Sequence, residues 1–167
     1  MDTAESEVYE KLMANAIRFV SYRPRSRKEL SDFIARKLKS NHTTAPLVAS
    51  HVMRRLTDLG YADDHAFGVW WVTQRTGRNP KGARAIRMEL LRKGIPPEVA
   101  NEVIARGMRE EGKSEQTLAR AASEKKLKLW ARLPHAEKKR KVADFLLRRG
   151  FSSEAVRGVV DDVPENV

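Results

Sequence analysis

There is no cysteine among the 167 residues, which excludes disulfides, thiolate nucleophiles, cysteine-ligated zinc and iron–sulfur clusters. Long apolar runs are missing too, since no stretch approaches the roughly 18 residues that a membrane-spanning helix needs. The opening Met1-Asp2-Thr3-Ala4-Glu5 is acidic where a signal peptide is basic, so a cytoplasmic protein is the expectation. Aromatic residues are scarce at 7%, and alternating apolar and polar residues, the mark of a half-buried strand, are nearly absent. The four histidines, His42, His51, His65 and His135, lack ligand spacing and a cysteine partner, so neither metal nor cofactor is expected. Positive charge, by contrast, is plentiful. Thirty-three Lys and Arg against 22 Asp and Glu give a net charge of +11, and a surface of that sign attracts nucleic acid or acidic protein.

Apolar residues recur at helical spacing, as in Leu30, Phe33, Ile34, Leu38 and in Phe67, Trp70, Trp71. Ser26 with Glu29 and Asp2 with Glu5 fit capping boxes, Asp63 precedes an apolar helix, and Pro97 suits a first helical position. Gly60, Gly94, Gly107 and Gly150 stand where helices should stop, because a residue without a Cβ turns left-handed at no steric cost. The fold class is therefore all-α. The expected helices cover approximately 4–21, 27–39, 45–59, 64–76, 82–93, 97–106, 114–131, 136–149 and 153–162.

A repeat organises these helices. Leu90-Leu91-Arg92-Lys93-Gly94-Ile95 returns 56 positions later as Leu146-Leu147-Arg148-Arg149-Gly150-Phe151. The same offset aligns Leu30, Ile86, Val142 and Ile34, Leu90, Leu146 on the buried side. It also aligns Arg36, Arg92 and Arg148, which at about 100° per residue point away from that side. Three tandem three-helix repeats are expected, over residues 1–62, 63–108 and 109–167, the last with a short acidic tail. A three-helix unit has little core, so the units should stack into an elongated array. The first repeat departs from the others at Ser40-Asn41-His42-Thr43-Thr44, a longer loop, and has Leu38 where the others carry the stop glycine.

Motifs with catalytic associations fail on context. Gly107-Met108-Arg109-Glu110-Glu111-Gly112-Lys113-Ser114 matches the phosphate-binding loop letter for letter, but it follows a helix rather than a buried strand and carries two carboxylates. Asp63-Asp64 has no third ligand nearby and reads as helix capping. Trp70 and Trp71 could stack bases, yet with Phe67 they form a core stripe at i, i+3, i+4. No enzymatic activity is expected.

Basic residues gather before the second helix of each repeat. Arg23, Arg25, Arg27 and Lys28 form one cluster; Arg75, Arg78, Lys81, Arg84 and Arg87 a second; Lys138, Lys139, Arg140 and Lys141 a third. Together with Arg36, Arg92 and Arg148 they suggest an extended basic stripe facing a polyanionic partner.

These motifs resemble the RecX family. Arg25-Ser26-Arg27-Lys28-Glu29-Leu30 looks like its Arg-Ser-x-x-Glu-Leu element, and Gly60-Tyr61-Ala62-Asp63-Asp64-His65-Ala66-Phe67 like its Gly-Tyr-x-Asp-Asp-x-x-Phe element. The stretch from Lys81 to Ile95 follows its Lys-Gly-x-x-x-Ile-x-x-Glu-Leu-x-x-Lys-Gly-Ile pattern, whereas Glu115 to Lys141 matches only loosely. The resemblance implies a curved, non-enzymatic protein in the groove of RecA filaments on single-stranded or double-stranded DNA, and a monomer is expected. There it would restrain filament growth, ATP hydrolysis, strand exchange and coprotease function in DNA repair and the SOS response. The competing reading is a helix-turn-helix protein acting directly on DNA, which would concentrate base-reading side chains on one recognition helix.

Overall fold

The computed structural model describes residues 3–40, 46–110 and 112–165. The expected cap at Asp2 and the loop residues 41–44 lie outside them. Among the described residues there are nine α-helices and no strand: α1 (Thr3–Ser21), α2 (Arg27–Ser40), α3 (Pro46–Asp58), α4 (Asp64–Thr76), α5 (Ala83–Arg92), α6 (Pro97–Glu110), α7 (Glu115–Leu129), α8 (His135–Arg148) and α9 (Ser153–Asp161).

The caps act as the sequence indicates. The Glu29 N–H donates to Ser26 Oγ at 3.1 Å while the Ser26 N–H donates to the Glu29 carboxylate at 3.3 Å, closing a capping box. Asp63 accepts from the Ala66 N–H at 2.9 Å at the start of α4. Gly94 and Gly150 take φ of +80° and +82° after α5 and α8, and Gly60 takes +75° after α3. At Leu38, with no glycine to turn the chain, α2 runs on to Ser40. Gly107 is a correction. It lies inside α6, which continues to Glu110, and a Cβ there would come within 2.6 Å of Val72 Cγ1. Close approach of α4 and α6, rather than helix termination, requires that glycine.

The principal helix contacts fall within three triplets, α1–α3, α4–α6 and α7–α9. Each triplet closes on its own core: Leu30, Ile34, Val52 and Leu56 in the first, Phe67, Ile86, Leu90 and Val103 in the second, Leu118, Val142, Leu146 and Val156 in the third. The aligned residues Leu30, Ile86 and Val142 are all fully buried. The chain exposes 10438 Å², against about 8,400 Å² for a compact monomer of its mass. Cores that do not merge leave this excess, and the array is correspondingly extended.

Both junctions between triplets use the same elements. At the first, Ser26 Oγ donates to the Lys93 carbonyl at 2.7 Å, and the Arg27 N–H donates to Asp64 Oδ1 at 2.8 Å. At the second, the Gly82 N–H donates to the Arg149 carbonyl at 3.0 Å, and the Ala83 N–H donates to Glu115 Oε1 at 3.2 Å. Ser26 and Gly82, Lys93 and Arg149 are 56-residue equivalents, and Asp64 and Glu115 each begin the first helix of the following triplet. The turn after the second helix of one unit thus docks on the start of the second helix of the unit before it. That start has orphan N–H groups, and a carboxylate from the next unit satisfies one of them.

Candidate nucleic-acid and protein interface

The described structure divides the basic residues into three groups. In the first are cations held by carboxylates. Glu29 receives Arg23 at 2.9 Å and Lys93 at 2.7 Å, joining the first and second units. Burial alone would raise its pKa; hydrogen bonds from Arg23 and Lys93, the Lys93 charge and the Ser26 N–H outweigh that and hold it at about 2. Glu89 does the same within the second unit. It accepts from Trp71 Nε1 at 2.9 Å and Arg75 Nε at 2.7 Å, and Lys81 Nζ pairs with its other oxygen. Here too burial pushes the carboxyl up and the Lys81 and Arg75 hydrogen bonds bring it down.

Aromatic faces order the second group. The Arg75 guanidinium lies 4.0 Å and Lys93 Nζ 4.5 Å from the Trp71 ring centroid, while Arg25 lies 3.8 Å from that of Phe19. Trp71 and Phe67 are buried and Trp70 half-buried, in keeping with the core stripe. Burial first, and then repulsion from Arg23, lower the Arg25 pKa. Arg149, expected only as part of the repeat, donates to the Pro80 and Asn79 carbonyls at 3.0 and 2.7 Å and so pins the second junction.

The third group reaches solvent. Arg27, Arg36, Arg78, Arg84, Arg92 and Arg148 are exposed, while Arg87 is half-buried with Nε 2.9 Å from Asn101 Oδ1, and Lys139 is half-buried. Arg27 also donates to Thr57 Oγ1 and to the Ala62 carbonyl. Arg36, Arg92 and Arg148 sit at one position of α2, α5 and α8, and because both junctions repeat the same contacts, these three recur along the array. Lys138 is a correction. At 4% exposure it faces inward, covered by the segment after α9, where Val163 is buried and the Pro164 carbonyl lies 3.4 Å from Lys138 Nζ. Its equivalents Ser26 and Gly82 are buried under the next unit instead.

The residues of the phosphate-loop pattern do not form such a loop, because 107–110 are the last turn of α6; Glu111 lies outside the described residues. Asp63 and Asp64 both serve backbone N–H groups, one within α4 and the other across a junction. No helix of the described residues is long and apolar enough to cross a membrane. Sequence reasoning did not single out Glu29 and Glu89 as organisers. Their partners lie 6, 64, 14 and 8 residues away in sequence, so no local spacing marked either carboxylate as an organiser.

Comparison with known proteins gives a consistent result. Residues 63–104 match the family model described as the second three-helix domain of RecX, and residues 114–160 that of the third. A protein named regulatory protein RecX in Chlorobaculum tepidum is 31% identical over 146 residues, covering 87% of this chain and 84% of that one. One of the same name in Bacillus cytotoxicus is 28% identical over 161 residues, covering 96% of this chain but 56% of its own length. The chain spans about half the length of such longer relatives. The crystal structure of RecX from Lactobacillus salivarius superposes with a TM-score of 0.74 at 22% identity, over 95% of this chain and 97% of that one.

Proposed function

This chain belongs to the RecX family of regulatory proteins, and on that footing we propose that it binds RecA recombinase filaments assembled on DNA in the cytoplasm and restrains their activity. It acts by occupancy rather than catalysis, as a monomer laid along the filament groove. The observation that carries this reading is the recurrence of exposed Arg36, Arg92 and Arg148 at one position of three units joined by like junctions. A partner that itself repeats, presenting phosphates and carboxylates at intervals, is met by a ligand whose cations repeat. Counterion release from the nucleic acid favours such docking. Exposed Arg84 lies at the start of α5 and adds to the same set.

The test is RecA-dependent ATP hydrolysis on single-stranded DNA with and without the purified protein. Slowing at sub-stoichiometric amounts is expected. Replacing Arg36, Arg84, Arg92 and Arg148 with Ala should cost up to about 0.5 kcal/mol of stability at each exposed site while raising the amount needed for inhibition. Arg75 and Lys81 are unsuitable for this purpose, since removing either disturbs the Glu89 cluster. Undiminished inhibition by the folded quadruple variant removes the arginine set from the reading. Sequence-specific duplex binding with no effect on filaments replaces it with the helix-turn-helix alternative.

A further inference from the structure

Two tyrosines stand in water beside the first junction. Tyr22, just after α1, is 79% exposed, and Tyr61, just before α4, is 44% exposed. Both line a cleft of about 450 Å³ whose walls include Arg23, Arg25 and Phe67. Tyr22 also borders an adjoining cleft of about 260 Å³ with Arg18, Phe19 and Lys37. An ordered stack lies between the two. Phe33 and Phe19 are parallel within 6° at 4.3 Å, Lys37 Nζ lies 5.7 Å from the Phe33 centroid, and the Arg25 guanidinium lies over Phe19. Arg25 Nε–H donates to the Phe19 carbonyl at 3.2 Å, which fixes the plane further. A planar cation is therefore held in place, packed on an aromatic ring on one side and lining an open cleft.

The charge around this cleft is one-sided. Arg18, Arg25 and Lys37 line the two clefts against one carboxylate, Asp63, and Arg23, which also lines one of them, is paired with Glu29. The Asp63 carboxylate has an oxygen committed to the Ala66 N–H. Unpaired nucleobases stack on tyrosine rings and on guanidinium planes, and their phosphates sit beside mobile cations. An acidic peptide would pair with the cations but leave the exposed tyrosine rings without a partner, whereas an unpaired nucleotide uses both, its base on the rings and its phosphate beside the cations.

We propose that the cleft at the first junction binds an unpaired base of single-stranded nucleic acid, stacked against Arg25, Tyr22 and Tyr61, with Arg18 and Lys37 beside the flanking phosphates. This goes beyond the filament reading. It gives the chain a contact with bases in addition to backbone charge, and it requires no RecA.

The experiment uses the full chain without RecA and follows the anisotropy of a fluorescein-labelled oligothymidine. Tyr22→Ala and Tyr61→Ala should each weaken binding by about tenfold, the scale of one lost base stack, without changing its salt dependence. Arg18→Ala and Lys37→Ala should each lower the logarithmic salt slope by about 0.7. Tyr22→Phe should keep the parent affinity, and an oligomer of equal charge but abasic should bind as weakly as oligothymidine binds the tyrosine variants. A 5-iodouracil oligomer should crosslink to Tyr22 or Tyr61. Parent-like binding by the Tyr22→Ala, Tyr61→Ala double variant, or equal binding of the abasic oligomer, overturns the proposal. So does a polyglutamate peptide that binds with the same dependence on Tyr22, because the site then belongs to an acidic protein segment. Failure of the ATP-hydrolysis test leaves these outcomes unaltered, so the two readings fail separately.

Discussion

Three glycine-to-alanine substitutions separate backbone strain from unit docking. At Gly60, φ is +75° and nothing lies within 4 Å of an added Cβ. Alanine there meets only the left-handed penalty of about 1–2 kcal/mol, partly offset by a less flexible unfolded chain. At Gly82, φ is −74°, so alanine is unstrained, but its Cβ would come 2.2 Å from the C and O atoms of Gly150. Backbone atoms cannot rotate away, and the second junction must open. Overpacking costs about 1–3 kcal/mol, and loss of the Gly82 N–H to Arg149 and Arg84 N–H to Gly150 hydrogen bonds adds about 0.5–1.5 kcal/mol each. At Gly150 both penalties act, with φ at +82° and a Cβ 2.4 Å from Ala85 N. For a chain of this size each kcal/mol lowers Tm by about 2–4 °C. Calorimetry should then show a fall of about 2–4 °C for Gly60→Ala, roughly 4–24 °C for Gly82→Ala and a larger one for Gly150→Ala. The Gly82→Ala, Gly150→Ala double variant should lose less than the sum, because one opened junction relieves both overlaps. A Gly82→Ala variant as stable as Gly60→Ala would refute the docking geometry.

Glu29→Gln should destabilise the first junction by about 1–3 kcal/mol at neutral pH. Because the folded Glu29 is held at about 2 from an ordinary 4.5, its stabilisation is complete above pH 4.5 and is lost as pH falls toward 2; urea titrations of parent and variant should therefore converge in acid. Val163→Ala uncovers Lys138 and removes buried apolar surface from the third core, for a loss of about 1–2 kcal/mol, and hydrogen exchange should accelerate in the first turn of α8; unchanged protection there would argue against the covering role of 163–164. Lys113→Ala should leave the protein unchanged in an ATP-turnover assay, with none in the parent, since the glycine-rich pattern begins inside α6; turnover abolished by the substitution would reverse that reading.

Local chemistry made much of this protein legible in one dimension. Helix positions followed from apolar spacing and from caps such as Ser26 with Glu29 and Asp63, because a cap and the N–H it serves are only three residues apart. The repeat followed from Leu90–Ile95 returning at 146–151, since like units keep like cores. Family membership was legible for the same reason, its motifs being turns and caps that recur in order. Three-dimensional packing decided which charges are available. Arg75 and Lys81 lie 14 and 8 residues from Glu89 and converge on it only when α4 and α5 pack. Glu29 and Lys93 are 64 residues apart and meet because two units dock. Lys138 occupies a position equivalent to Ser26 and Gly82 but is buried by the chain's own residues beyond α9. Gly107 was read as a helix stop when the approach of Val72, 35 residues earlier, required it. Caps and periodicity are set by neighbours in sequence, whereas ion pairing and exposure depend on which surfaces the stacked units bring together.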